Sequence, residues 1–512
     1  MRLTKLGKAV ILILTIGVAI GIWKLTHMGE SEAEPTNIPS IASFNRPLRV
    51  GIVSWPGYAG GIVANNGFKP NKDCIFWNKH QLQVEFLLME DIDLRAKAFQ
   101  TGGEKGVDIV WSTVDFWANE AAGFIKNGVK VKAVMQVDWS QGGDAIVADR
   151  SINQIEDLRD KKISLALFTP SHWLLESNLQ NSSLDEADQA KIVKRIVGKN
   201  ASPDARADFV AGKVDAAVVW EPDVTEALQK RPNSHILVST RTANNLIADI
   251  MVAREDFIKE HPDVIKAFVQ GWLEGTVEAN RNPSRAAKLL AENEPLYKDM
   301  GEQATLDQLS AVKWADLMDN TKMFGLDGSQ PLFDDIFNKA ASAWHKRGYI
   351  DQTISPKEAK DDSFLKQIYA ASPVNAPSDT QVAKPAPSKE VEKPIETKPV
   401  NIFFASGSAT LDDKAKQVLD QEVSLLARTN ANAYIRIEGN TDNTGDPQVN
   451  KSLSMQRAQT VISYLVERYK LNADRFIPKG NGSDNPISSN GTEAGRSKNR
   501  RTDVMILPVG AK

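Results

Sequence analysis

Tryptophans, carboxylates and small hydroxyl side chains recur through the first part of this 512-residue chain, each time at the end of an apolar run or just beyond it. The groups are Ser54, Trp55 and Tyr58; Trp111, Ser112 and Asp115; Asp138, Trp139 and Ser140; Thr169, Ser171 and His172; Trp220, Glu221 and Asp223; and Asp249. Aromatic faces beside carboxylates suit a ligand bearing an amine or a quaternary ammonium, because the ring face and the anionic oxygens both attract a cation. Thr169-Pro170-Ser171 points the other way, since proline at a first helical position leaves backbone N–H groups free for an anion. A zwitterion satisfies both halves. The competing reading makes the tryptophans packing residues of an apolar core. His172 reads as a hydrogen-bonding or packing residue and not as a catalyst. The single cysteine, Cys74, lies far from it in sequence, and no GxSxG, HExxH or phosphate-loop pattern is present. One cysteine also excludes an intramolecular disulfide and any cysteine-based zinc or iron–sulfur site, so neither a metal nor a cofactor is expected.

These residues need elements to position them. The expected strands are 48–55, 83–89, 107–113, 131–139, 144–148, 163–168, 215–220, 236–239 and 250–253. The expected helices are 94–100, 115–127, 173–178, 187–197, 222–229, 262–280, 285–292, 306–318 and 333–347. Strands alternating with helices over such a length predict an α/β domain with a mostly parallel sheet. In open α/β sheets ligands sit beyond the carboxyl ends of the strands, which is where the aromatic and acidic groups fall.

The ends of the chain are different in kind. Arg2, Lys5 and Lys8 precede an apolar run from Ala9 to Trp23, closed by Lys24. Residues 1–28 therefore read as a cytoplasmic tip with either an uncleaved membrane anchor or a secretory signal. The anchor is favoured because the nearest small-x-small triplet, Ser31-Glu32-Ala33, is too far past the run; basic residues would hold the amino terminus in the cytoplasm. Residues 29–46 form a polar spacer. Residues 372–399 hold six prolines among lysines and glutamates, a composition that cannot bury a core and favours an extended linker. At 3.1 Å per residue it would reach about 85 Å. The balance of 62 Lys+Arg against 65 Asp+Glu gives a net charge of −3, which argues against a nucleic-acid binder relying on a global positive field.

From residue 400 a compact α+β unit is expected, with strands at 401–405, 434–438, 476–479 and 502–507 and helices at 412–428 and 453–470. Its runs FFASGSATL (403–411), GNTDNTG (439–445), NKSLSMQRAQTVISYL (450–465), GNGSDNP (480–486) and GRSKNRR (495–501) resemble the OmpA-like peptidoglycan-binding domain. The resemblance implies that an Asp in the loop and an Arg on the next helix grip the diaminopimelate of the stem peptide, roles that fall on Asp442 and Arg457. Elementary chemistry agrees with such a pair, because an amino-acid head group offers an ammonium to the carboxylate and a carboxylate to the guanidinium fork. Thr441, Asn443 and Thr444 supply neutral hydrogen bonds, and Asn450 is expected to cap the helix. Asn440 stands where the family usually has His. Arg496, Arg500 and Arg501 match a terminal arginine cluster, some of which would brace the loop.

The segments 48–61, 107–120, 169–179 and 208–228, above all GKVDAAVVWEP, resemble periplasmic solute-binding proteins of the nitrate/sulfonate/taurine, NMT1/THI5-like type. That resemblance implies a two-lobed periplasmic-binding-protein fold over 47–371 that closes on a small molecule, with a permease as its usual partner. An anchor and a wall-binding domain depart from the transport pattern. The expected protein is thus a non-enzymatic, inner-membrane, single-pass chain whose bulk lies in the periplasm, or a soluble periplasmic one if the leader is cleaved. It would bind a small solute in the cleft and peptidoglycan at its carboxyl end. Two alternatives stand beside it. One is an envelope tether or scaffold with an empty central domain, docking an envelope complex. The other is an exported enzyme of the NMT1/THI5 type, against which the missing cysteines speak.

Overall fold

In the computed structural model, residues 41, 44–198, 201–371, 394, 396–402, 404–405 and 407–507 are described. The expected anchor and most of the linker lie outside them. Among the described residues no helix is long and apolar enough to cross a membrane.

Three short, largely apolar strands, Leu48–Ile52 (β1), Val84–Leu88 (β2) and Ile109–Thr113 (β3), pair in parallel with β1 in the middle. Two longer strands, Val131–Ser140 (β4) and Ala248–Arg254 (β10), extend this sheet antiparallel, and Val312–Trp314 (β11) closes its edge. The order in this first lobe is β11-β4-β10-β3-β1-β2. A second lobe contains Asp144–Asp149 (β5), Lys162–Leu165 (β6), Val193–Ile196 (β7), Ala216–Trp220 (β8) and Ser234–Ser239 (β9), in the order β7-β6-β8-β5-β9. The chain passes between lobes twice, through 141–143 after β4 and through 240–247 before β10. The two crossings are tied together: Ser140 N–H donates to the Ile247 carbonyl at 3.0 Å, and Thr240 N–H to the Asp144 carbonyl at 3.0 Å.

Three helices lie at the junction of the lobes, Val114–Lys126 (α1), Pro170–Asn181 (α2) and Leu332–Lys346 (α4), and a fourth, Pro262–Arg281 (α3), packs within the first lobe. Each of α2 and α3 has proline in its first turn, and Thr169 caps α2 through its hydroxyl. Helix α3 approaches the helix at 59–65 so closely that a methyl group on Gly275 would lie 2.1 Å from the Gly60 carbonyl oxygen. Only glycine allows that contact. Phe268, also on α3, stacks on Phe76 with ring centres 5.9 Å apart and meets Trp272 edge-on at 5.5 Å.

The carboxyl unit contains Glu396–Val400 (β12), Tyr434–Asn440 (β13), Phe476–Gly482 (β14) and Thr502–Leu507 (β15), ordered β12-β15-β13-β14. The helices Ser424–Thr429 (α5) and Pro447–Tyr469 (α6) accompany this sheet, which has its own core around Leu419, Ile437, Val461 and Ile506.

All nine strands expected between 48 and 253 are present. The sheets are mixed and not mostly parallel, because the strands that carry the chain across the junction run antiparallel to their neighbours. The expected helix at 187–197 is one turn, Glu186–Gln189, followed by β7, an exposed edge strand whose β-branched ends pair with β6. The expected helix at 306–318 is interrupted by β11, and Asp316 then forms a capping box for a new helix, Leu317–Phe324. The expected strand at 401–405 is replaced by β12 five residues earlier, and the helix at 412–428 breaks at Val423. Helix α6 begins at Pro447 with Asp446 as its cap, so Asn450 lies inside the helix and does not cap it.

Because Phe268 is fully buried, Phe268→Ala should destabilise the protein by about 3–5 kcal/mol in urea unfolding. A loss below about 1 kcal/mol would mean that the α3 contact is not part of the core.

Candidate functional site

Adjacent strands of the first lobe bring two carboxylates side by side. Asp249 at the start of β10 faces Asp138 near the end of β4 and Thr113 at the end of β3. The turn after β1 covers them: Tyr58 Oη donates to Asp249 Oδ1 at 2.7 Å, and Trp55 Nε1 donates to Asp138 Oδ2 at 3.2 Å. A methyl group on Gly57 would sit 1.6 Å from Asp138 Oδ2, so the turn can lie this low only with glycine there. Asp115, in the first turn of α1, joins from the same lobe. Asp144, the first residue of β5, joins from the other, accepting from Ser171 Oγ at 2.7 Å and Ser140 Oγ at 2.8 Å. All four aspartates are buried. Both carboxylate oxygens of Asp115 and Oδ1 of Asp138 are buried without a hydrogen-bond partner of normal geometry.

The electrostatics follow from that burial. Desolvation pushes Asp144 up from 3.8 to about 6, against the pull of the Ser171 and Ser140 hydroxyls. Desolvation carries Asp249 to about 7, with the Tyr58 hydroxyl opposing and Asp144 adding repulsion. Asp138 and Asp115 go well above the ordinary carboxylate range, again through burial first; Asp249 then raises Asp138 further, while Thr113 partly relieves Asp115. Asp138 and Asp249, facing each other across the ladder, disfavour ionising together, and the nest is a concentration of negative charge waiting to form. The nearby guanidinium of Arg95 is turned to Glu120 and to the Trp111 carbonyl. A cation would stabilise the ionised nest, whereas an anion would be repelled.

Other expected pocket residues are distributed around it. Ser112 bonds to Glu120 at 2.8 Å and faces the Arg95 pair. Trp139 is buried between β10 and β11. Thr169 is used as the α2 cap. His172 accepts from the Phe168 N–H through Nδ1, packs 4.9 Å from Trp344, and faces Glu176 across 3.6 Å. Burial lowers His172 below the ordinary imidazole range, and Glu176, although burial opposes it, is held at about 2 by His172, Lys194 and Arg347. This is a structural network and not part of the nest. Trp220 stands opposite Asp144 in the β5·β8 ladder and is half-exposed. Glu221 is occupied by Thr225, and Asp223 by Arg206. A cavity of about 420 Å³ lies on the first-lobe side of the crossover, bounded by Gln141, Asn280, Lys313 and Trp314 among others. Trp314 is the cross-strand neighbour of Asp138. Asp144 and Thr240 were not among the expected residues. Asp144 opens its strand, whereas all the expected groups but Asp249 close or follow theirs, and Thr240 lies in the second crossover.

The second site is the loop after β13. Asp442 Oδ1 accepts from Thr444 N–H at 2.8 Å and Oδ2 from Arg500 Nη1 at 2.6 Å. Burial would raise its pKa, but Arg500 and the Thr444 N–H outweigh it and hold Asp442 below the ordinary range. Arg457, on α6, donates to the Ser408 and Ala405 carbonyls at 3.0 and 3.3 Å and lies 4.8 Å over the Phe404 ring. Asp442 and Arg457 attract each other electrostatically, and no hydrogen bond or ion pair joins them. Thr441 is buried with its hydroxyl unpartnered, while Asn443 and Thr444 are exposed. Asn450 ties the helix to the loop through the Thr444 carbonyl at 2.9 Å. Asn440 bonds to Asp503 and Asn481 behind the loop. Of the arginines, Arg501 is turned inward to Asp503 and Arg496 to Glu493 and the Asn490 carbonyl. Arg500 is the one that reaches Asp442.

Residues 403–500 match the OmpA family, and residues 121–286 match the family described as NMT1/THI5 like. Motility protein B of Bacillus subtilis is 40% identical over 146 residues, 26% of this chain and 56% of that protein. The outer membrane protein Omp38 of Acinetobacter baumannii is 37% identical over 107 residues, 21% of this chain and 30% of that protein. The peptidoglycan-binding protein ArfA of Mycobacterium tuberculosis is 39% identical over 105 residues, 20% of this chain and 32% of that protein. The chain thus spans from 30% to 56% of the length of these relatives. Among solved structures, the periplasmic aliphatic sulphonate binding protein SsuA of Escherichia coli aligns with 62% of this chain and 98% of its own, at 15% identity and a TM-score of 0.47. The periplasmic nitrate-binding protein NrtA of Synechocystis covers 65% of this chain and 90% of its own, at 10% identity and a TM-score of 0.48.

The raised acids imply a signed pH dependence. Their contribution to stability is fully present below the ordinary 3.8 and is lost as pH rises through about 6 for Asp144 and about 7 for Asp249. The unliganded protein should therefore melt at a lower temperature at pH 8 than at pH 5.5, and Asp138→Asn with Asp249→Asn should flatten that slope. A parent slope unchanged by the double substitution would refute the assignment.

Proposed function

We propose that this chain, an NMT1/THI5-like periplasmic-binding domain followed by an OmpA-family peptidoglycan-binding domain, is a non-enzymatic envelope protein that captures an amine-bearing solute and holds the cell wall. The basic leader and apolar run at 2–24 would anchor it in the inner membrane with its bulk in the periplasm; cleavage would instead leave it soluble there.

The wall half rests on Asp442 and Arg457, which attract each other without pairing. An ammonium and a carboxylate on one carbon, as in the diaminopimelate of a stem peptide, can enter between them, the ammonium to Asp442 and the carboxylate to the Arg457 fork. Arg500 already neutralises part of Asp442 and would orient it. Pull-down with purified sacculi tests this. Asp442→Ala and Arg457→Ala should each lose at least tenfold in retained protein, and Arg500→Ala a few-fold; full retention by Asp442→Ala would refute the assignment.

The solute half rests on four buried aspartates brought together, among which both oxygens of Asp115 and Oδ1 of Asp138 have no hydrogen-bond donor of normal geometry. The cation is favoured over the zwitterion, because Ser171 at the α2 start is already committed to Asp144 and offers no vacant anion pocket. Titration calorimetry with putrescine and choline as cations, glycine betaine and taurine as zwitterions, and ethanesulfonate and nitrate as anionic controls, tests it. At least one cationic probe should bind, weaken at least tenfold in Asp138→Asn/Asp249→Asn, and weaken as pH falls from 8 to 5.5 while the acids protonate. Binding of the zwitterions alone, or of the anions alone, would overturn the cation reading. Complete burial of the nest favours one second reading, a scaffold whose central domain carries no ligand. An empty central domain by native mass spectrometry, with no response to any amine, would establish that reading instead.

A further inference from the structure

The carboxyl unit is seated on the crossover that joins the two lobes. Asn245, in the 240–247 crossing, donates from its backbone N–H to the Thr429 carbonyl at 3.0 Å and from Nδ2 to the Arg428 carbonyl at 3.3 Å. Its neighbour Asn244 accepts from the Asn432 N–H at 3.0 Å. Both asparagines of the crossing therefore read the backbone at the end of α5, and Leu425 of the same helix is buried in the apolar cluster of the central domain. The Arg428 guanidinium pairs with Asp335 in the first turn of α4 and donates to the Gln330 carbonyl at 3.1 Å.

Helix α4 is itself a strap between the lobes. Near its far end Trp344 Nε1 donates to the Asp115 carbonyl at 3.1 Å, in the first lobe, while its ring lies against His172 of the second. Arg347, just beyond, pairs with Glu176 on α2. The carboxyl unit thus grips the two features that lobe opening must disturb, one crossover and the strap.

We propose that this docking is a latch: the wall-binding unit, seated on the interlobe crossing, stabilises the arrangement of the two lobes in which the aspartate nest is buried, and solute occupancy and docking are linked. Opening rotates one lobe against the other by changing backbone angles in the crossings, and the Asn244 and Asn245 contacts hold those angles. Linkage makes the effect reciprocal, so whatever favours closure favours docking by the same factor. The Asp442 loop lies at the opposite end of β13 from the docked edge; seven residues of strand place them about 20 Å apart. Docking therefore leaves the peptidoglycan loop open, and the protein can hold the wall while latched. The linkage to solute rests on the amine reading of the nest, whereas the docking itself does not.

Hydrogen–deuterium exchange on the full chain tests the latch. In the parent, peptides covering 240–247 and 425–432 should be protected. Arg428→Glu and Asp335→Arg should each speed exchange in both peptides at least tenfold, and the double charge swap should restore protection to within about threefold. Parent-like exchange in the single variants, or a double swap as fast as either single, would overturn the proposal. Calorimetry with whichever cationic probe binds the parent separates the two parts: Arg428→Glu should weaken it at least fivefold. Equal affinity in parent and variant would refute the linkage. If no amine binds the parent, the nest reading and the linkage to an amine both fail, and the exchange result still decides the docking.

Discussion

Four carboxylates in one buried junction are a constraint that the rest of the central domain must satisfy. Burying an ionised carboxylate without a partner costs several kcal/mol, and a group in that position takes up a proton instead. Burial pushes Asp249 to about 7 and Asp144 to about 6, which puts these two acids at the edge of ionisation near neutral pH. The lobes can close over the nest only by protonating it or by enclosing a positive charge. On the proposed amine reading, ligand capture and lobe closure are one event, because the cation supplies the charge that closure otherwise excludes.

The same junction explains why the covering turn and the crossings are built as they are. Gly57 lets Trp55 and Tyr58 reach the two first-lobe acids, and a methyl group on Gly143 would meet the Trp55 ring at 2.4 Å. Ser140 and Thr240 pull both crossings onto Asp144, so the acid that belongs to the second lobe is fixed by residues of the hinge itself. A unit that grips the 240–247 crossing from outside therefore acts on the nest without touching it. The linker composition alone suggests two modules held apart; the contacts of Arg428, Thr429 and Asn432 bring them together.

Much of the nest was legible in the sequence where one residue's chemistry coincided with a strand end. Asp138, Asp249, Asp115, Trp55 and Tyr58 all fall at such ends. Asp144 lies at the start of β5, much as Asp249 lies at the start of β10, but only the antiparallel return of the chain across the junction turns that end of β5 toward the others. The choice between Arg500 and Arg501 was equally invisible: adjacent residues at a strand start point to opposite faces, and either could face the loop. The strand at 193–196 was hidden inside a plausible helical pattern, since four residues at a sheet edge carry little periodicity of their own. Asp446-Pro447, by contrast, was a readable helix start that the apolar spacing further along outweighed.

Protonation of the nest is the point at which capture and closure meet, and it can be counted directly. Calorimetric titration of a binding amine at pH 6.5 in two buffers of different ionisation enthalpy measures the protons exchanged on binding. A cation that ionises the raised acids should release about one proton or more per amine bound, and the release should vanish in Asp138→Asn/Asp249→Asn. Binding with no proton release in the parent would contradict a nest that ionises around its ligand.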